Sequence, residues 1–256
     1  MPAQSAYASW LAYFEARSGR ELDAPPLGPT PEEGPGRDAV ARSVARFELG
    51  ESGDGQRLRR LAAGTGDRSY ARAVELFVEE ERQHARWLEI LRERFGGERL
   101  SSQWTERAFV SLRHIGGLRR ELCVLLTAEV IALTYYRVLE RSYEDPVLQA
   151  TCERILLDER GHVAFHRATL GHELAGMPGP ARTAAVLAWR AFVAAAAAVV
   201  ARDHRAVLAL AGVSRSAFER DVRTRARWLA DSTHSRLPHR RPTKVPEPRT
   251  SAPDSL

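Results

Sequence analysis

Apolar residues recur along this chain at three- and four-residue spacing almost throughout, and no sustained alternating run marks a strand. The pattern predicts an all-α protein. A short helix is expected at 6–16, followed by a linker rich in Pro and Gly, "DAPPLGPTPEEGPG", at 23–36. Helices one and two are expected over 37–63 and 69–95, stopped by "GTGD" and by Gly96-Gly97. Residues 98–117 connect them to helix three, with a short helix near 104–115 on the way. Helix three covers 118–143, "EDP" at 144–146 turns the chain, and helix four runs to Leu174 before "GMPGP". Two further helices, over 181–211 and 214–231, precede the end of the chain.

Composition changes this picture little. A chain of 256 residues can bury a proper core, and its charged and apolar fractions are those of an ordinary soluble globule. We therefore expect an appendage at 1–36, a helical domain at 37–175, additional helices at 176–235 packed on it, and a disordered basic tail at 236–256. The net charge of +5 is misleading, because the tail alone holds five basic residues against two acidic ones. That segment is rich in Pro, Ser and Thr and cannot bury enough surface to offset its ordering entropy. Nucleic acid is accordingly not an expected partner. Cys123 and Cys152 sit in apolar helical patterns with no CxxC spacing, which predicts buried thiols in a reducing, cytoplasmic setting. No secretory signal is expected, and the run "AFVAAAAAVVA" at 191–201 is too short to span a bilayer as it stands.

The chemistry enters through a repeated phrase. "EEERQHARW" at 79–87 and "LLDERGHVAF" at 156–165, aligned on their histidines, share acid, Glu, Arg, any residue, His. Residues three apart on a helix share a face, so Glu81 projects with His84 and Glu159 with His162. Each pair is half of a metal site. Glu51 lies thirty residues before Glu81, and Glu129 lies thirty before Glu159. Each pair is also equidistant from its hairpin turn, which puts all six side chains in one layer about 22 Å from the hairpin ends. Glu-x-x-His alone is a weak signal; the shared spacing and the apolar surroundings, such as "LLTAEVIAL" around Glu129, strengthen it. Helix one reads "FELGESGDGQRL", so glycines crowd the proposed ligand and Glu48, one turn earlier, is its rival.

Glu51, Glu81-x-x-His84, Glu129 and Glu159-x-x-His162 resemble the di-iron carboxylate pattern of the ferritin-like superfamily. The resemblance covers 37–175. It implies a four-helix bundle with a long crossover between helices two and three, to which this chain adds two C-terminal helices. It implies two iron ions, or a manganese–iron pair, held by the four glutamates and two histidines. It also implies that Glu80 and Asp158 orient the histidines. The resemblance is specific for a metal site and names no reaction; the two extra helices, which would cover a pocket beside the metals, point by fold-level analogy to an oxygen-activating oxidase or oxygenase taking dioxygen and a small organic substrate. An external electron donor and a homo-oligomer are compatible with it, and no membrane is. The alternative is a non-catalytic ferritin-like protein that sequesters iron or uses metal to hold its helices. His166, seven residues after Glu159, is a further ligand or a core histidine; Tyr136, seven after Glu129, lines the pocket or the core. His204 points at the site or at solvent, and His234 and His239 are expected in solvent.

Overall fold

The computed structural model describes residues 5–20, 26–101 and 116–234, with side chains up to residue 231. It is all-helical, with no strand among the described residues. The helices are α1 (Ala8–Glu15), α2 (Pro35–Glu51), α3 (Gln56–Ala63), α4 (Arg68–Arg94), α5 (Leu118–Ser142), α6 (Pro146–Ala175), α7 (Gly179–Asp203), α8 (Arg205–Leu210) and α9 (Arg215–His234). The short helix expected near 104–115, most of the crossover and the tail at 236–256 lie outside the described residues.

Local chemistry explains the boundaries. Asp67 caps α4 by accepting from the Tyr70 amide at 3.0 Å, and Asp145 caps α6 by accepting from the Leu148 amide at 2.9 Å. Pro35 and Pro146 stand in the first turns of α2 and α6, where the missing N–H is harmless. Gly96 ends α4 with φ +69°.

Two expected helices are broken. Helix one splits after Glu51 into α2 and α3, because Gly55 takes a left-handed conformation at φ +64°. The helix expected over 181–211 splits at His204 into α7 and α8. There the Asp203 carbonyl accepts from Arg46 Nη1 at 2.7 Å, so an acceptor at the junction is engaged by another helix.

Helices α5 and α6 form a hairpin around the turn at 143–145, α2 packs on α4, and α4 packs on α6. Helix α9 lies on α7, α5 and α6, while α8 lies on α5 and α2. The main core collects Leu122, Leu126, Val130, Leu133 and Leu139 of α5 with Leu148, Ile155 and Val163 of α6. A smaller core joins Phe14 of α1 to Leu58, Tyr70, Phe77 and Phe165. Two buried ion pairs fix the frame. Arg94 binds Asp145 at 2.6 Å, and Arg92 binds Glu48 at 2.6 Å. Cys152 is buried and Cys123 half-buried, both as free thiols. Helices α5 and α7, each 25 residues, are apolar and long enough to cross a membrane by length and composition. Most of the apolar stretch of α5 is spent on the core, whereas much of that of α7 lies outside it.

The break after Glu51 is specified by one glycine. A Cβ at Gly55 would lie 2.6 Å from both γ-carbons of Val78 and would sit in left-handed backbone. Gly55→Ala is expected to cost about 2–4 kcal/mol in chemical denaturation. Gly53→Ala, whose Cβ would meet nothing nearer than 4.0 Å, should stay within about 0.5 kcal/mol of the parent.

Candidate metal centre

Helix α4 presents Glu81 and His84 from one face, and α6 presents Glu159 and His162 from another. Ligand atoms of these four residues lie within 4.8 Å of one another. Glu81 Oε1 is 3.0 Å from His162 Nδ1 and 3.7 Å from His84 Nδ1. Glu159 reaches both rings as well, at 3.5 Å from His84 Nδ1 and 3.8 Å from His162 Nδ1. Each of these carboxylates therefore lies between the two imidazoles. Glu129, from the middle of α5, has one oxygen 3.8 Å from His162 Nδ1 and the other 3.7 Å from His166 Nε2.

Glu51 completes the group from the last residue of α2. Its Oε1 accepts from Tyr136 Oη at 3.0 Å. Burial, then the charges of Glu81, Glu159 and Glu129, raise its pKa well above the usual carboxylate range. All six residues singled out in the sequence thus converge on one place. Glu48 does not. It is buried and ion-paired with Arg92 at 2.6 Å, whereas Glu51 is hydrogen-bonded by Tyr136 and lies among the cluster's carboxylates.

The outer ring of acids is crossed between helices. His84 of α4 meets Asp158 of α6 at 3.4 Å through Nε2, and His162 of α6 meets Glu80 of α4 at 2.9 Å through Nε2. With Nε2–H donating to these carboxylates, each ring keeps its Nδ1 lone pair for the centre. Arg17, just past α1, is hydrogen-bonded to Asp158 and lies 3.8 Å from Glu80, so one cation joins both acids. The neighbouring Phe14 stacks on His162 at a centroid distance of 6.3 Å, and Phe77 meets the same ring edge-on at 4.8 Å. Gly161 makes the covering possible, since a Cβ there would overlap the Tyr13 phenol. Sequence reasoning missed this N-terminal contribution. Gly161, a glycine between a ligand pair inside a long helix, was the one signal of a close approach.

Does this cluster fit metal ions? Glu81 Oε1, both oxygens of Glu159, and Nδ1 of His84 and His162 are buried with no hydrogen-bond partner, although they lie close together. Buried polar atoms are rarely left that way. A set of four carboxylates and two imidazoles carries four negative charges, which two divalent cations neutralise. Such an oxygen-rich set suits iron or manganese. The fit is good.

Of the remaining candidates, His166 is buried with Phe77 edge-on to its ring at 4.6 Å. His204 is buried, with its Nδ1 2.7 Å from Ser43 Oγ, and lines a cavity that also touches the cluster. The side chain of His234 and the whole of His239 lie outside the described residues. A cavity of about 330 Å³ opens on Glu51, Glu81 and Glu129 and is otherwise walled mostly by apolar side chains, among them Phe47, Phe77 and Ile131. No protein-family model, curated protein or solved structure matches this chain.

Protons take the role of cations in the metal-free chain. Burial opposes charge on His84, but Asp158 and Glu159 outweigh it and hold the pKa up to about 9. His162 is driven well above the usual value, burial being outweighed by Glu129, Glu159, Glu80 and Glu81. Glu129, like Glu51, is raised first by burial and then by its neighbours. Asp158 is lowered to about 2, because His84, His162 and Arg17 outweigh its burial.

Groups with raised pKa hold more protons folded than unfolded, so the stability they contribute falls as pH rises. The window for His84 runs from 6.5 to about 9; for Glu51 and Glu129 it opens at 4.5. On the acid side, the contribution of Asp158 is lost as pH falls from 3.8 through about 2. Metal-free protein is therefore expected to be most stable at mildly acid pH and to lose on the order of a few kcal/mol by pH ~9. Denaturation midpoints across a pH series check this. Bound manganese(II) should abolish the alkaline loss, because the metal replaces the protons.

Proposed function

We propose that this chain is a dimetal carboxylate oxidoreductase of the ferritin-like kind, with iron as the metal, that acts with dioxygen on a small organic substrate. One observation carries the reading. Two imidazole Nδ1 atoms, Glu81 Oε1 and both oxygens of Glu159 converge in the protein interior without hydrogen-bond partners, and a mostly apolar cavity reaches Glu81. Glu51, Glu81, Glu129, Glu159, His84 and His162 hold the metals. A pair of iron ions, or iron with manganese, would when bound supply redox chemistry toward dioxygen.

The chain's own groups do the rest. Asp158 and Glu80 keep the histidines in the Nε2–H tautomer and aim Nδ1 inward. Tyr136 holds a proton on Oη, 3.0 Å from Glu51 Oε1, where it can follow a change in the charge of that carboxylate. Phe14, Phe77 and Phe165 exclude water around His162 and His166. The cavity favours an enzyme over a protein that only stores metal or uses it as a brace, since neither of those needs an apolar chamber beside the ligands.

Metal-free protein titrated anaerobically with ferrous iron should bind close to two ions per chain. Glu81→Ala, His84→Ala, Glu159→Ala and His162→Ala should each reduce that to one or none. Unchanged metal content in any two of them would overturn the assignment. Glu51→Ala should lose metal or dioxygen consumption. Glu48→Ala should keep both, while costing about 1–3 kcal/mol, because Arg92 loses its buried carboxylate but keeps the Gly97 carbonyl and the charges of Glu89 and Glu93. On admitting air, a transient absorbance and dioxygen uptake are expected; stoichiometric binding without uptake would favour the non-catalytic alternative.

A further inference from the structure

The two histidines of the centre are each held by an acid of the opposite helix, but the acids themselves are held unequally. Asp158 has two guanidiniums. Arg17 is hydrogen-bonded to it, and Arg154, one turn earlier on α6, has its Nε 3.3 Å from Oδ2. Arg154 is itself braced, with its guanidinium over the Trp87 ring at 5.7 Å. Glu80 has Arg17 alone: among the described residues no other arginine or lysine pairs with it. Arg17 Nε and Glu80 Oε1 stand 3.8 Å apart, both buried and without a hydrogen bond, so this pair is joined by charge.

The place of Arg17 is built into the fold. Its guanidinium lies over the Tyr13 ring at 5.1 Å, and Tyr13 occupies the space that Gly161 leaves between Arg160 and His162. Its amide donates to the Phe14 carbonyl at 3.0 Å, and Phe14 is fully buried. Before α1, Ser5 Oγ donates at 2.7 Å to Asp67, the carboxylate that also caps α4. Helix α1 is thus fastened along α4 and sets one cation between the two outer acids.

We propose that Arg17 is a positioning residue for one metal of the pair: acting through Glu80 it holds His162, so the ion on His162 depends on α1 and the ion on His84 does not. The inference rests on the dimetal reading. A buried carboxylate keeps its place only while charge and hydrogen bonds replace its lost hydration. Without Arg17, Asp158 keeps Arg154 as its counter-charge and goes on accepting from His84. Glu80 keeps no fixed cation, and with its side chain 12% exposed it has water within reach. A carboxylate that turns to water lets go of His162 Nε2, now 2.9 Å away, and the ring it oriented no longer aims Nδ1 at the metal. Two ligand pairs that are alike in sequence therefore differ in what secures them.

Manganese(II) is a suitable probe, titrated by calorimetry into the metal-free full chain, with the electron paramagnetic resonance of the unbound ion as a second count. The parent should take close to two ions. Arg17→Met, which keeps a stem over Tyr13 and removes the charge, should weaken one of them about tenfold and leave the other within about twofold. Arg17→Lys should recover part of the loss. Arg154→Met, which leaves Asp158 its hydrogen bond from Arg17, should change either ion less than about twofold. A double-mutant cycle then identifies the route. Added to Glu80→Gln, Arg17→Met should cost less than about twofold more, whereas added to Asp158→Asn it should still cost about tenfold. Circular dichroism confirms that each variant folds. A merely structural α1 would weaken both ions alike in every background, and that result would overturn the proposal. So would an Arg17→Met protein that binds both ions like the parent, or one whose loss is undiminished beside Glu80→Gln. The two readings fail separately. Two ions per chain with no effect of Arg17→Met removes this inference alone, and a parent protein that binds no manganese removes the dimetal centre and this inference with it.

Discussion

Four carboxylates cannot share a buried layer of a helical core without cations, and the centre of this protein is organised around that constraint. Removing even one carboxylate from water costs several kcal/mol unless charge and hydrogen bonds replace the lost hydration. Two solutions appear one turn apart on α2. Glu48 has a buried arginine at 2.6 Å, a fixed cation supplied by the chain itself. Glu51 has no such arginine; it has a tyrosine hydroxyl, three other carboxylates and, beyond them, two imidazoles. Its compensation must come from something exchangeable, protons or metal ions. That contrast separates a structural acid from a functional one.

The histidines are positioned by the same economy. Glu80 and Asp158 each hold the imidazole of the opposite helix, so any sliding of α4 along α6 would disturb both contacts together. Arg17 then ties the two acids to each other. This makes α1 part of the centre, although it stands before a linker rich in proline and glycine. Its aromatic residues close the other side of the ring of ligands, and Gly161 leaves the room they need. Rigid imidazoles, with Nδ1 turned inward, are what a metal pair requires of a protein that is to bind it without rearrangement.

How much of this was legible in the sequence follows from which interactions have a period. Glu-x-x-His is local, and helical geometry puts its two members on one face whatever the rest of the chain does. The thirty-residue spacings were legible because residues equidistant from a hairpin turn meet at one depth. The relation survived the break in helix one, because the break falls after Glu51 and α3 still packs on α4. The reading of 181–211 as one helix failed because the alanine-rich pattern runs through His204, whereas the interruption coincides with contacts from Arg46 and Ser43 far away in sequence. Arg17 lies 141 residues from Asp158, and no periodicity carries such a contact.

The glycines around Glu51 link the ligand to access. Were α2 to continue, its next turn would occupy the region that Ser52, Gly53 and Gly55 now leave to the cavity. Left-handed Gly55 redirects the chain into α3, and Val78 packs where a side chain would otherwise stand. Glu51 is thereby the last residue of its helix, half-buried, and held by Tyr136 and its charged neighbours. Its carboxylate has latitude that Glu129 and Glu159, fixed mid-helix, lack. Helix propensity is given up at the one of the three cavity-lining ligands that ends its helix, which is where a ligand can move if a substrate and dioxygen are to reach the proposed metal pair.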